Sequence, residues 1–207
     1  MLSAADLSRL YNHFLGKNVL LIGQPWIGKT MLAHQLAIFF PRTYYFRIEK
    51  NFTPKDYPNH RRIKYYNIDN PDQLIENLQS LNQNGCSNGF IVLDSITIAE
   101  LMFLKGNNNG TRYKVTNECK KMIRTFYELV LHECSLLKEK GNTILNIAHE
   151  ITLATGKFTA KANNLLLRQV EMIVRMYGEN GKRKIKVVAK RGQALDSNFE
   201  LEGFDEI

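Results

Sequence analysis

The sequence lacks any apolar run that approaches the ~18 residues needed for a membrane-spanning helix. Residues 1–6 also lack the basic start of a secretory signal peptide. The two absences together lead us to expect a cytoplasmic protein that makes no contact with a membrane.

Patterns of metal binding and disulfide bonding are missing as well. The cysteines, Cys86, Cys119 and Cys134, are odd in number and include no C-x-x-C pair, which argues against a disulfide framework and against a zinc site. The histidines are scattered without the spacing of metal ligands. We therefore expect reduced cysteines with a structural role.

The remaining composition is that of an ordinary globular protein. The chain has 207 residues, of which 44% are hydrophobic and 23% charged, and it shows no repeat or linker. This predicts a single domain over residues 1–207 with a substantial core. Lysine and arginine outnumber aspartate and glutamate by 28 to 20, and the net charge of +8 favours a polyanionic partner.

One motif carries specific chemistry. Residues 23–30 match G-x-x-x-x-G-K-[ST] in full, between an apolar run at 18–22 and a helix-like segment at 29–40 that ends before Pro41. A strand, a glycine-bearing loop and a helix in this order predict a P-loop, whose backbone N–H groups and helix N-terminus face phosphate oxygens. The alternative is a turn that merely joins the strand to the helix.

The P-loop assigns roles to individual residues. Lys29 is predicted to reach the β- and γ-phosphates of ATP, and Thr30 to offer its hydroxyl to Mg²⁺. Trp26, the only tryptophan, is interpreted as a packing residue of the loop. The predicted cofactor-binding residues are Gly23, Gln24, Pro25, Trp26, Ile27, Gly28, Lys29, Thr30 and Met31.

A second candidate for the same site is Asp94. It directly follows the apolar run at residues 90–93, which has the pattern of a buried parallel strand. A carboxylate at the carboxyl end of such a strand lies beside the phosphates and orients Mg²⁺. Thr30 and Asp94 are therefore the predicted metal ligands, although Asp94 also fits a plain turn residue.

The other segments alternate between strand and helix signals. Ser3 and Asp6 predict the start of a short helix at about 3–15, and Asn70 with Pro71 the start of another. The Asn180-Gly181 pair predicts a hairpin turn. The predicted strands are 18–22, 44–48, 63–68, 90–93, 143–148, 170–177, 184–189 and 198–204, a long helix covers 116–140, and loops cover 105–114 and 151–164.

This order predicts an α/β fold with a mostly parallel central sheet, flanked by helices and extended by antiparallel C-terminal strands. The basic run at residues 182–186 alternates along one of those strands. We interpret it as an edge protected by charge.

Four motifs together resemble the RecA/RadA recombinase superfamily. They are the P-loop, the strand end at residues 47–49, the sequence Ile-Val-Leu-Asp-Ser-Ile-Thr at 91–97 and the strand end at 146–149. Within the superfamily, the chain resembles the small archaeal RadB-like paralogues of RadA that lack a separate N-terminal domain. The resemblance covers residues 15–205 and implies a RecA-like ATPase domain with ATP and Mg²⁺ as cofactors.

The resemblance also implies roles outside the P-loop. Glu49 takes the place of the residue that polarises the attacking water, and His149 that of a polar sensor of the γ-phosphate, typically Gln. With Lys29 and Asp94 they form the implied catalytic set. Two implied DNA-binding loops supply the further candidates Lys105, Arg112, Tyr113, Lys114, Lys157, Phe158 and Lys161.

The leading hypothesis is an ATP-binding accessory protein of DNA recombination and repair. It would have weak Mg²⁺-dependent ATPase activity, bind DNA, preferably single-stranded, and act with the main RadA-type recombinase. The alternative keeps the fold without DNA, as a KaiC-like or archaellum-type regulatory ATPase that acts on protein assembly. A kinase of small acceptors fits less well, because no arginine-bearing lid is evident.

Overall fold

The computed structural model describes residues 2–50, 52–57, 60–105, 116–152, 158–160, 163–180, 182–190 and 200–205. The helices of these ranges are α1 (Ala4–Phe14), α2 (Lys29–Leu36), α3 (Pro71–Gln83), α4 (Ile96–Lys105), α5 (Asn117–Glu139) and α6 (Asn164–Gln169). The strands are β1 (Asn18–Gly23), β2 (Thr43–Arg47), β3 (Ile63–Asn67), β4 (Phe90–Asp94), β5 (Thr143–Thr152), β6 (Phe158–Ala160), β7 (Met172–Glu179), β8 (Lys182–Lys190) and β9 (Glu200–Asp205).

The strands form one sheet in the order β3-β2-β4-β5-β1-β7-β8-β9, and β6 pairs with the end of β5. The pairings from β3 through β7 are parallel, and those of β8 and β9 are antiparallel. The predicted fold class, a mostly parallel sheet with antiparallel C-terminal strands, is therefore confirmed.

Helix starts follow the signals in the sequence. The side chain of Ser3 accepts a hydrogen bond from the N–H of Asp6, and that of Asn70 accepts one from Gln73, with Pro71 in the first helical turn. Thr116 caps α5 in the same way by accepting from the N–H of Cys119. Each cap satisfies a backbone donor that a helix end leaves without an intrahelical partner.

The central sheet is covered on both faces. Val19 and Leu21 of β1 belong to a core cluster with residues of α1 and α2, whereas Leu20 and Ile22 belong to a second cluster with residues of α3 and α5. Successive side chains of a strand point to opposite faces, so the continuous apolar run of β1 supplies both layers. None of the helices within the described ranges has the length and apolar character that crossing a membrane requires.

Three segments differ from the sequence-based predictions. The α-helix after the P-loop ends at Leu36 and continues as a 3-10 turn, Ala37–Phe39. Helix α4, which begins at Ile96, was not predicted, because its segment is too apolar to show the one-sided pattern of a surface helix. The prediction that residues 151–164 form a loop is wrong for β5 and β6, which pair antiparallel there and so satisfy each other's backbone groups.

Candidate nucleotide-binding site

The loop between β1 and α2 has the shape that its glycines allow. Gly28 has φ 100° and caps the N-terminus of α2, and Trp26 also has a positive φ of 67°. A Cβ atom on Gly23 would lie 2.5 Å from the carbonyl oxygen of Met176, and one on Gly28 would lie 2.9 Å from Nη1 of Arg183. Gly23 is thus required by the close approach of the backbone of Met176, and Gly28 by its backbone conformation.

Lys29, the first residue of α2, points back into the loop. Its side chain is only 6% exposed, and its Nζ donates hydrogen bonds to the carbonyl oxygens of Gly23 (2.9 Å) and Gln24 (2.7 Å). Burial lowers the pKa of Lys29 to about 8, against the opposing effect of nearby carboxylates, first among them Asp94. A phosphate oxygen is a stronger acceptor for an ammonium group than a neutral carbonyl, so this cation is suited to bind phosphate.

Asp94 lies at the carboxyl end of β4, as predicted, and is fully enclosed. Its Oδ2 accepts hydrogen bonds from Thr30 Oγ1 (2.7 Å) and from the hydroxyl of Tyr45 (2.5 Å). Burial raises the pKa of Asp94, and the two donated hydrogen bonds oppose that rise. Burial, together with the neighbouring Asp94, raises the pKa of Tyr45 well above its usual range. Tyr45 therefore acts as a hydrogen-bond donor that holds the carboxylate in place.

The two predicted metal ligands are in direct contact, and their chemistry fits Mg²⁺. Mg²⁺ prefers oxygen ligands and usually keeps several waters while it binds one or two protein groups and the phosphates of a substrate. The hydroxyl of Thr30 and the carboxylate of Asp94 supply such a pair. Among the described residues, no cluster of three or more His, Cys, Asp or Glu side chains is arranged to hold a metal. The donor set therefore fits an ion that arrives with a nucleotide.

The remaining predicted catalytic residues, Glu49 and His149, contact each other. Oε2 of Glu49 lies 3.2 Å from Nε2 of His149, and both side chains are mostly buried. Sheet pairing brings both residues to the carboxyl ends of the parallel strands. The N–H of Glu49 donates to the carbonyl oxygen of Asp94, and His149 is opposite Gly23 in the β1–β5 register. The Nδ1 atom of His149 is buried and has no hydrogen-bond partner among the described residues.

A cavity of about 540 Å³ joins these groups. It is lined by nine predicted residues, namely Pro25, Trp26, Gly28, Lys29, Thr30, Met31, Glu49, Asp94 and His149. Gly23, Gln24 and Ile27 are not part of its lining; the first two accept hydrogen bonds from Lys29, and Ile27 packs against the core. The structure thus gathers the predicted catalytic and cofactor residues at a single place.

The interpretation of Trp26 as a packing residue is wrong, because its side chain is 82% exposed. The glycines and the hydrogen bonds from Lys29 fix the shape of the loop, so the indole is not needed for that purpose. Its place at the edge of the cavity makes it a fluorescence probe of the site.

Three cavity residues were not among the predicted site residues: Phe52, Tyr57 and Arg183. Phe52 and Tyr57 follow shortly after Glu49 and pack on His34, with ring centroids 5.7 and 4.5 Å from its imidazole. His34 is fully buried, contacts the carbonyl oxygen of Thr30 (2.7 Å) and the hydroxyl of Tyr65 (2.9 Å), and has its pKa lowered to about 4 by burial. His34 is itself part of α2, so this neutral side chain connects the first turn of the helix to Tyr65 of β3.

The predicted DNA-binding residues cannot be placed at this site. Lys105 ends α4 and Phe158 begins β6, so the backbone of each is described. Arg112, Tyr113, Lys114, Lys157 and Lys161 lie outside the described residues. DNA contact by these two segments stays a prediction.

Comparisons with known proteins give the fold an independent reference. No family model and no curated protein matches the chain. Among solved structures, the crystal structure of the RadB recombinase is similar to it, with a TM-score of 0.66 over 91% of this chain and 86% of the other. The two sequences are 17% identical, so the similarity establishes a RecA-like, RadB-like fold.

Proposed function

We propose that the protein is an ATP-binding recombinase paralogue that hydrolyses ATP slowly with Mg²⁺, binds DNA and assists a RadA-type recombinase in recombination and repair. The observation that carries the proposal is the contact between the P-loop and the tip of β4. There, Thr30 of the loop donates a hydrogen bond to Asp94, beside the buried ammonium group of Lys29.

The P-loop residues divide the work of binding a nucleotide. Lys29 exchanges its carbonyl partners for phosphate oxygens, and the N-terminus of α2 adds its positive end. Thr30 and Asp94 would hold Mg²⁺, and the ion would supply positive charge beside the phosphates. The cavity of about 540 Å³ offers the volume for a bound nucleotide.

Glu49 and His149 supply the groups that hydrolysis needs. A general base must reach the water whose proton it accepts, and the carboxylate of Glu49 lines the cavity next to Lys29 and Asp94. The contact at 3.2 Å places Nε2 of His149 where its N–H can donate a hydrogen bond to the carboxylate of Glu49. His149 thereby orients the carboxylate, and a change in its position on nucleotide binding would move the end of β5.

DNA binding is supported by charge and by position. The net charge of +8 favours a polyanion. The two candidate segments begin where α4 and β5 end, and β5 carries His149. A displacement of His149 on nucleotide binding would therefore be transmitted along β5 to the segment that follows it. The similar structure is that of a recombinase, which makes DNA the first polyanion to test.

The nucleotide site is tested by titrating the protein with ATP and Mg²⁺ while following the fluorescence of Trp26. We expect saturable binding by the wild-type chain and a loss of at least about 100-fold in affinity for Lys29→Ala, which removes a charge-assisted contact in a buried site. Lys186→Ala, which removes an exposed lysine, serves as the control and should bind as the wild type does. Equal affinity of Lys29→Ala and wild type would refute the nucleotide site.

DNA binding is tested by fluorescence anisotropy of labelled single-stranded DNA at two salt concentrations, with and without ATP and Mg²⁺. Counterion release predicts that log K falls by ~0.7 for each phosphate neutralised on a single strand, per unit of log salt. The triple variant Arg112→Ala, Lys114→Ala, Lys161→Ala should weaken binding and flatten this dependence. No binding at low salt would refute the DNA role and favour an ATPase that acts on protein assembly.

A further inference from the structure

Arg183 of β8 reaches the P-loop from a strand that the motif does not include. It lines the same cavity as Lys29, Glu49 and Asp94. Its Nη1 lies 2.9 Å from the position that a Cβ atom on Gly28 would occupy, so the guanidinium rests against the residue that caps α2.

The alternation of β8 explains this placement. Ile185 and Val187 are buried in the core cluster that contains Leu32 and Leu36 of α2. Side chains two residues apart along a strand share a face, so Arg183 continues the face that packs on α2 toward its N-terminus. The interpretation of residues 182–186 as an edge protected by charge is wrong, because β8 lies between β7 and β9 in the sheet. Arg183 instead lines the cavity.

The guanidinium of Arg183 has a buried hydrogen-bond donor, Nε–H, whose acceptor is absent among the described residues. The nearby carboxylates have other contacts: Asp94 accepts from Thr30 and Tyr45, and Glu49 contacts His149. Leaving a buried donor of a charged group unsatisfied is unfavourable, so an arginine in this state is suited to an anionic partner.

We propose that Arg183 contacts the phosphates of the bound nucleotide, as a second cation supplied by the same chain beside Lys29. The inference rests on the proposed nucleotide site. Arginine suits this role because its planar N–H groups match the oxygens of phosphate. P-loop enzymes use such an arginine in some classes from the same chain and in others from a partner.

The test compares Arg183→Met, Arg183→Lys and Lys186→Ala with the wild-type chain by isothermal titration calorimetry with Mg·ADP and Mg·ATP. Met keeps much of the length of the side chain over Gly28 without its charge, and Lys keeps the charge without the planar donors. Calorimetry reports binding without relying on Trp26, which lines the same cavity. A melting curve of each variant shows whether it is folded.

We expect Arg183→Met to weaken ATP binding by about tenfold or more, and ADP binding by less, because the triphosphate carries more charge. Arg183→Lys should recover part of the loss, and Lys186→Ala should stay within about twofold of wild type. Affinity of Arg183→Met within about twofold of wild type would overturn the inference. Absence of nucleotide binding by the wild type would instead refute the proposed function, so the two failures are distinguishable.

Discussion

The two ends of the central strands both bury polar side chains, yet they do so in different ways. At the amino end, where the parallel strands begin, the buried amides of Asn142 and Asn146 are neutral and bonded to another side chain or to the backbone. At the carboxyl end most of the buried polar side chains are titratable, and several of their atoms lack partners within the described part of the chain. The first arrangement stabilises a fold, whereas the second is suited to receive a ligand.

Asn142 illustrates the amino end. Its Oδ1 accepts from the N–H of Gly89 (2.8 Å), and its Nδ2 donates to the carbonyl oxygens of Cys86 (2.9 Å) and Leu137 (2.7 Å). The side chain thereby ties the start of β5 to the segment before β4 and to the end of α5. A neutral amide with its partners in place carries little cost of burial.

The carboxyl end has a different character. Five buried side-chain atoms have no partner among the described residues. Those of Arg47, Ser95, His149 and Arg183 lie at the carboxyl end of the parallel strands, and Oγ1 of Thr43 lies at the amino end. Buried polar groups in native proteins are rarely unsatisfied, and functional sites are a common reason for exceptions. The contrast supports the proposed site at the carboxyl ends of the strands by an argument that is independent of the P-loop motif.

The largest effect on stability is expected at the amino end. Asn142→Ala would leave the N–H of Gly89 and the carbonyl oxygens of Cys86 and Leu137 without the partner they now have, and should lower the free energy of unfolding by about 3–4 kcal/mol. Urea unfolding measures the change. The control is Asn77→Ala, which removes a partly buried bond within one helix and should cost less than about 0.5 kcal/mol. A similar loss of stability in both variants would show that the hydrogen bonds of Asn142 stabilise the fold no more than a single bond within a helix does.

The opposite sign is expected at Lys29. Its pKa in the folded state, about 8, lies below the ordinary value of 10.5, so burial of the charge destabilises the nucleotide-free protein at neutral pH. At about 1.4 kcal/mol for each pH unit between the two values, this cost is on the order of 3 kcal/mol. Lys29→Met should therefore stabilise the nucleotide-free protein while it abolishes ATP binding.

The pH dependence provides a sharper check of the same idea. Between pH 8 and 10.5 the unfolded chain holds more protons on Lys29 than the folded chain does, so this group makes the stability of wild type rise with pH through the window. Lys29→Met lacks that contribution, and its advantage should shrink as the pH increases from about 7 to about 10. Urea unfolding of both proteins across this range measures the difference. An advantage that is independent of pH would contradict the assigned cause.

How much of this site could be read from the sequence depends on how local each signal is. The P-loop and Asp94 were predicted because a strand, its apolar pattern and the residue at its tip are adjacent in the chain. The caps of α1 and α3 were found for the same reason. The roles of Glu49 and His149 followed only from the resemblance, and their contact was not predicted, since no local pattern joins residues so far apart.

The residues that were missed depend on tertiary structure. Arg183 reaches Gly28 only because β8 pairs with β7, and β7 with β1, which brings a distant strand beside the P-loop. The observable signal was its alternation with Ile185 and Val187, which places a basic residue on an inward face. Extension of β5 beyond His149 likewise depends on its pairing with β6. A sequence pattern does not specify which strands become neighbours.

The smallest of the expected effects on stability concerns Asp94. The amide introduced by Asp94→Asn keeps an oxygen that accepts from Thr30 and Tyr45, so this variant should fold normally. Because burial raises the pKa of the folded carboxyl, the folded chain binds a proton more readily than the unfolded one, and stability falls as the pH rises through that window. The neutral variant lacks this loss. At neutral pH we expect its free energy of unfolding to be at least that of wild type, and higher by at most about 1 kcal/mol.

Asp94→Asn and wild type should differ more in Mg²⁺-dependent ATP binding than in stability. With Asp94→Asn, the gain in ATP affinity on adding Mg²⁺ should fall about tenfold, because an amide oxygen is a weaker ligand for a hard cation than a carboxylate. Calorimetric titrations with ATP, with and without Mg²⁺, measure this gain. Asn142→Ala, tested at a temperature where it stays folded, should show the full gain. Loss of the Mg²⁺ effect in both variants would mean that the two ends of the sheet are coupled, and that the division between a structural and a functional edge is too simple.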